Sequence, residues 1–351
     1  MSGRGGGRII REAASGAAHP TRRTALRLGG AAALGAALPA CDRPLTGELR
    51  LKVAHTMNAT HPVHKALGVF AETLRELSGG RLGADLYASG QLGTERELIE
   101  LAQIGSVAMT KVSSLSLEGF SPPMRLFSTP YLFEDNAHLW RVLEGDVGRE
   151  LLDTLGGVRL KGLSYYDAGS RSFYATAAPI NHPDDLAGKK IRVLASPVAV
   201  EMVAALGGSA TPLAFGELYT ALQQGIVDGA ENNPPSYFLS KHFEIAPHYS
   251  LDEHTSPPDV IIMSSHVWEQ LDARERDWVT RAMAVSVEAQ RRFWNQDQAD
   301  ALAAVEAAGS RVVYPDKQPF RAAVAGMKRT AMESDDLGPL IRRVDALAGA
   351  S

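Results

Sequence analysis

Cysteine is nearly absent. One occurs in 351 residues, at position 41, so no internal disulfide framework can form, and cysteine nucleophiles and thiolate metal sites are excluded from the body of the chain. Other signatures are missing too. No GxGxxG follows a strand, and there is no GxxxxGK[ST], HExxH or GxSxG. These absences remove a dinucleotide or P-loop phosphate cradle, a zinc-protease helix and a hydrolase nucleophile elbow. After Cys41 no apolar run is long enough for a transmembrane helix. No basic excess survives beyond the first 40 residues: they hold six Arg and one Glu, leaving 30 basic and 39 acidic side chains, a balance of −9. A nucleic-acid binder shows a basic face, so nucleic acid is excluded as a partner. An anionic small ligand is not excluded, because a site is set by local charge.

The basic start of the chain has its own pattern. Arg22 and Arg23 precede residues 28–40, which are rich in Ala, Gly and Leu. A basic segment, a short apolar core and small residues at its end read as an export signal over 1–40, with a disordered basic arm as the alternative. The paired arginines suggest the twin-arginine route, and the general route stays open. "LPAC", ending at Cys41, resembles a bacterial lipobox in which the cysteine is lipidated; Pro39 departs from that pattern, and simple cleavage nearby is the alternative. Residues 41–48 then form a tether. The expected location is periplasmic, with membrane contact only through a lipid anchor.

Beyond the tether, strand and helix patterns alternate. Residues 49–55 read as a strand, 63–77 as a helix stopped by Gly79-Gly80, and 82–87 as a strand. Residues 95–103 read as a helix closed by Gly105, with a short strand at 106–109. Such alternation predicts βαβ units and a largely parallel sheet. The pattern recurs: Glu97-Leu98, Gln103 and Gly105 to Val107 parallel Glu217-Leu218, Gln223 and Gly225 to Val227, each a helix, a glycine stop and a strand. The second copy leads through Ile226 and Val227, read as the strand's start, to "DGAENNPPSY" (228–237), a strand-end loop where ligands sit in open α/β sheets. Strands are also expected at 161–166, around Arg192 in "LAGKKIRVLAS" (186–196) and at 312–313. A long helical region covers 264–308, with Trp268, Leu271, Trp278, Ala282, Val285, Val287 and Phe293 approximating one apolar face, and the tail from Phe320 is helical. No low-complexity linker follows residue 45, so two α/β domains joined by strand crossovers and a long helix are expected.

Arg192 carries the sharpest chemistry, a guanidinium among Ile191, Val193 and Leu194. At a sheet edge it would be solvated. In a central strand it must meet an anion, either a ligand carboxylate or an internal Asp or Glu. Arg171, after Gly169-Ser170, reads equally as a ligand contact or a solvated loop residue. Phe215 could stack on a ring or pack in the core. His61 and His64 have a metal-compatible spacing but lack further ligands. Glu231 has no neighbouring His or matched carboxylate in the sequence, so no acid/base pair is seen.

Together, "ASGQLGTERELIELAQIG" (88–105), "FSTPYLFED" (127–135), "LAGKKIRV" (186–193), "TPLAFGELYTALQQGIVDGAEN" (211–232) and "EHTSPP" (253–258) resemble the periplasmic solute-binding proteins of TRAP transporters, the DctP-like family. The resemblance runs from about residue 50 to 335. It implies an α/β fold of two domains around a hinged cleft, with 49–169 and 258–297 in one domain and 170–257 and 298–351 in the other. It implies that Arg192 pairs with a ligand carboxylate, that Asn232 (with Asn233) offers amides, and that Phe215, Arg171, Glu95, Tyr131 and Phe133 neighbour the ligand. No cofactor, no metal and no catalysis are expected. The implied partners are a small organic acid and the transporter's membrane subunits. "YYDAGSRSFY" and "DGAENNPPSY" resemble most the uronate-binding members, such as those for glucuronate or galacturonate. A C4-dicarboxylate, a keto acid, or an exported uronate-processing enzyme are the rival readings.

Overall fold

A computed structural model describes residues 49–349. The expected export signal over 1–40, the lipobox reading of Cys41 and the expected 41–48 tether lie outside the described residues. The chain opens with β1 (Leu49–Ala54), α1 (Pro62–Ser78), β2 (Leu82–Tyr87), α2 (Glu95–Gln103) and β3 (Met109–Ser113). α1 begins where His61 Nδ1 accepts the Val63 N–H at 3.2 Å and Pro62 presets the first turn. Val63, Ala66, Leu67, Phe70 and Leu74 are buried at helical spacing, and Gly79 ends the helix at φ 61°. α2 is held by a capping box between Thr94 and Glu97. β3 starts at Met109 rather than 106, because residues 105–108 form the turn after Gly105 (φ 78°).

Next come α3 (Ser114–Leu117), α4 (Asn136–Glu144), α5 (Asp146–Thr154), β4 (Leu160–Tyr166) and β5 (Arg171–Ala175). The second copy follows: β6 (Lys190–Val193), α6 (Pro197–Ala205), β7 (Ser209–Pro212), α7 (Leu218–Gln223) and β8 (Gly229–Asn232). Ile226 and Val227 precede this strand instead of starting it: Ile226 is 49% exposed. β8 begins at Gly229, where a Cβ would lie 2.4 Å from the Tyr174 carbonyl oxygen. The chain ends with α8 (Pro234–Leu239), β9 (His248–Thr255), β10 (Asp259–Ser264), α9 (Ser265–Gln270), α10 (Ala273–Ala307), β11 (Arg311–Val313), α11 (Lys317–Glu333) and α12 (Gly338–Asp345).

The described strands form two sheets, ordered β2-β1-β3-β10-β4 and β11-β9-β5-β8-β6-β7. Within each, the repeated unit is parallel, β1 with β2 and β3, and β6 with β7 and β8. The sheets are nevertheless mixed, not largely parallel. β10 runs antiparallel to β3 and β4, and β5 antiparallel to β8 and β9, because each joins its sheet by crossing from the other. The crossovers are residues 167–170 and 256–258, with α10 as a third connection. Residues 49–349 lie within one compact unit.

Both faces of each sheet are covered, as buried strands require. Leu139, Leu151, Leu160 and Val260 pack with α4 and α5 on one face of the first sheet; Leu67, Phe70, Trp278 and Met283 pack with α1 and α10 on the other. α6 and α11 cover one face of the second sheet, while α7, α8 and the end of α10 cover the other. Thus α10, about 52 Å long at 1.5 Å per residue, touches the first sheet's core through Trp278 and the second's through Val305. A cap at Asp272 separates it from α9, and Val285, expected on its apolar face, is 45% exposed. The tail departs from the expected division. Leu340, Ile341 and Val344 of α12 pack into the first sheet's core, because α12 presents an apolar stripe that α4 and α5 cover.

Candidate functional site

The strand orders place β1 and β3, and likewise β6 and β8, side by side with their helices on opposite faces, the crevice position of an α/β sheet. The carboxyl ends of β3, β6 and β8 meet around one cavity of about 30 Å³. Arg192, Arg171, Asn232, Asn233, Phe215 and Glu95 all line it.

Arg192 sits in β6 between β7 and β8 and is fully buried. Its Nε and Nη2 donate to one acceptor, the Leu213 carbonyl, at 3.0 and 2.7 Å. Its Nη1 is buried with no hydrogen-bond partner among the described residues. Burial lowers its pKa; Tyr174, Glu231 and Glu95 oppose that, and the nearby Arg171 adds to it. A guanidinium stays charged in any protein, so this edge is a cation with no hydrogen-bonded carboxylate among the described residues. The Phe215 ring centroid lies 6.0 Å from its Cζ. Phe215 also packs against the first sheet's core cluster, the packing role the sequence allowed.

The internal carboxylate belongs to the other arginine. Arg171 donates to Glu231 Oε1 at 2.8 Å, to the Glu231 carbonyl at 2.9 Å and to Asn232 Oδ1 at 3.1 Å. Its Nε donates to Glu231 Oε2, making the pair bidentate. The sequence separation of 60 hid this partner. It also hid His254 of β9, whose Nε2 lies 3.6 Å from Glu231 Oε2 and whose Nδ1 lies 2.8 Å from Asp252 Oδ2. Burial opposes both charges, yet Arg171 holds the Glu231 carboxyl down at about 2, and Asp252 with Glu231 pushes His254 up to about 9. Glu231 therefore has a histidine beside it in space, contrary to the sequence reading, within a charge-balanced cluster.

The neighbouring amides are partly committed. Asn232 Oδ1 also accepts the Asn233 N–H at 2.9 Å, so its oxygen is used internally. Asn233 Oδ1 accepts the Ser236 N–H at 2.9 Å and caps α8, which Pro234 and Pro235 start.

The facing wall comes from the first sheet. Lys111 of β3 places Nζ 3.3 Å from Glu95 Oε1 and 3.1 Å from Asp259 Oδ1. Glu95 also accepts the Ser113 N–H at 3.2 Å and the Ser116 hydroxyl at 2.6 Å. Burial pushes the Asp259 carboxyl up against the pull of Lys111. Sequence reasoning missed Lys111 and Asp259. A lysine inside "MTKVS" carried the same signal as Arg192, a charge in an apolar strand.

Tyr131 does not border this cavity. At φ 51° its N–H bonds the His254 carbonyl, which turns the ring away beneath Arg321, 4.4 Å from its Cζ, and toward a separate 300 Å³ pocket. Phe133 packs with Phe127 in the first sheet's core and borders that same pocket. His61 Nε2 lies 3.3 Å from Ser236 Oγ, and His64 Nδ1 lies 3.0 Å from His55 Nε2. No group of three metal-capable side chains gathers among the described residues. No helix among them is long and apolar enough to cross a membrane.

Residues 53–335 match the family "Bacterial extracellular solute-binding protein, family 7", DctP. The chain belongs to this family. A solved member from Xanthobacter autotrophicus Py2, with bound β-D-galacturonate, is 37% identical at a TM-score of 0.82, covering 84% of this chain and 99% of that one. Another, from Pseudomonas putida F1 with bound D-glucuronate, is 34% identical at 0.82, covering 86% and 98%. The C4-dicarboxylate-binding periplasmic protein DctP of Rhodobacter capsulatus is 32% identical, covering 83% of this chain and 86% of that one. Family 7 proteins are extracellular solute-binding receptors, and the two mixed sheets of this chain are that family's architecture.

Proposed function

We propose that this protein is the extracytoplasmic receptor of a TRAP transporter and binds a sugar acid, a uronate such as glucuronate or galacturonate, for delivery to the membrane subunits. One observation carries the reading: Arg192 Nη1 is buried at a cavity with no internal acceptor. A carboxylate completes it with charge-assisted hydrogen bonds. The Asn232 NH₂ donates to a ligand oxygen, Phe215 covers the ligand, and Arg171, Asn233 and Glu95 complete the walls. The two relatives with bound uronates support the ligand class.

A cavity of about 30 Å³ is near the size of one or two waters and far smaller than a hexuronate. Binding therefore requires the two sheets to part and close again, with residues 49–169 and 258–297 acting as one domain and 170–257 with most of the remainder as the other. Asn58 Nδ2 donating to the Leu239 carbonyl at 3.0 Å, and the Ser196 hydroxyl donating to Glu118 at 2.7 Å, are contacts that such opening breaks. In the same reading residues 1–40 direct export and Cys41 carries a lipid.

The test is a thermal-shift screen of the purified protein against uronates, C4-dicarboxylates, keto acids and neutral sugars. A ligand at a hundred times its Kd adds about 2.7 kcal/mol. Stabilisation by a uronate, recovered chemically unchanged, is expected. Stabilisation by a C4-dicarboxylate alone favours the reading suggested by the Rhodobacter relative. Product formation would instead make the protein an enzyme, and silence across all acids would remove the role of Arg192.

A further inference from the structure

The two cavity walls differ in the charge they have left to give. On the second-sheet wall Glu231 neutralises Arg171, and Arg192 keeps one free guanidinium edge. On the first-sheet wall the one cation, Lys111, is shared between two carboxylates, Glu95 at 3.3 Å and Asp259 at 3.1 Å. Lys111 is 2% exposed, and its Nζ has no other acceptor among the described residues. One ammonium between two carboxylates leaves this wall with more acceptor than donor capacity, two of the three Lys111 N–H donors being committed. Glu95 cannot swing aside, because the Ser113 N–H and the Ser116 hydroxyl fix both its oxygens. Lys111 is the only side-chain partner of Asp259 among the described residues, which leaves acceptor capacity facing the cavity.

We propose that the Glu95–Lys111–Asp259 triad is a specificity filter that admits acids with one carboxylate and a hydroxylated tail and refuses dicarboxylates. This rests on the proposed function, in which the ligand carboxylate meets Arg192. The tail then faces the triad. A hydroxyl donates into a wall of acceptors. A second carboxylate there meets two carboxylates and no unshared cation, a repulsive juxtaposition of the kind that sets specificity. Arg171 cannot rescue it, being held in a bidentate pair.

The experiment is calorimetric titration at pH 8 with four probes: D-galacturonate and galactonate with one carboxylate, galactarate and L-malate with two. The best monocarboxylate is expected to bind about a hundredfold or more tighter than the best dicarboxylate. The double variant Glu95→Gln, Asp259→Asn unshares Lys111, and that ratio is expected to fall by about tenfold or more as dicarboxylates gain affinity. Equal wild-type affinity for the two classes overturns the filter, and so does an unchanged ratio in a folded variant. The wild-type comparison decides alone if the variant does not fold. Failure of the proposed function looks different: no acid of either class binds, and the filter falls with it.

Discussion

Arg171 and Arg192 are the same residue in one cavity wall, both buried, with opposite surroundings. Arg171 has a bidentate carboxylate partner, Glu231, with a second carboxylate, Asp252, behind it through His254. Arg192 has one carbonyl for two of its nitrogens and, among the described residues, nothing for the third. A buried charge that is paired belongs to the fold, and its loss strands the partner. A buried charge left half-paired weakens the ligand-free protein and reserves its attraction for what enters. The contrast divides the two arginines by their partners, which sequence position could not do.

Three measurements press on this difference. The largest effect is expected from Arg171→Met, which leaves Glu231 buried beside His254 alone and costs about 3–5 kcal/mol of stability. Denaturant unfolding checks it, and adding Glu231→Leu restores most of the loss. A mild single variant would mean that the pair is not structural. Arg192→Met is expected to cost about 2–5 kcal/mol of ligand affinity while leaving ligand-free stability equal or higher. Titration and melting of the same preparation read both quantities, and a destabilised variant that still binds would reverse the two assignments.

The third effect is in pH. His254 titrates near 9 when folded and has an ordinary value of 6.5, so its contribution is whole below about 6.5 and disappears as pH rises through 9. Glu231 is held at about 2 against an ordinary 4.5, so its contribution is whole above 4.5 and is lost only as pH falls through 2. Stability from this cluster is therefore fullest between those ordinary values. It should decline by on the order of a few kcal/mol toward pH 9. Melting curves from pH 6 to 9.5 check this, and His254→Gln should flatten the alkaline limb. A flat wild-type profile would remove His254 from the cluster.

Much of the fold was legible because its repeated unit writes itself twice. The α2 and α7 helices, their glycine stops and the strands after them share a plan that survives as "ELIELAQIGSV" and "ELYTALQQGIV". What escaped has physical reasons. β8 is "GAEN", which has no apolar alternation, so the eye settles on Ile226 and Val227 just before it. β10 is "DVIIMS", buried throughout, and a continuous apolar run shows no period. The antiparallel strands depend on crossovers between sheets, which local pattern does not encode. At the site, Arg192 was found because it is a charge among β-branched neighbours. Lys111 sits in a similar setting and was missed because no motif drew attention to it. Tyr131 failed because a positive φ reverses where its ring points, and nothing in "STPYLFED" announces that.

The crossover at 167–170 holds one more consequence. Gln290 of α10 grips Asp167 at both ends of its peptide unit, accepting its N–H at 2.9 Å and donating to its carbonyl at 2.8 Å. Asp167 in turn accepts from Trp140 and Asn136. Two residues later Gly169, at φ 58°, lies so close to Gln298 and Trp294 that a Cβ would meet them at 2.9 and 3.2 Å. The crossover is thus riveted to α10 at Asp167 and packed against it again at Gly169, whose N–H is held by Asp167 Oδ1 at 2.8 Å. A side chain at position 169 would therefore push this crossover off α10, the helix that both sheets share.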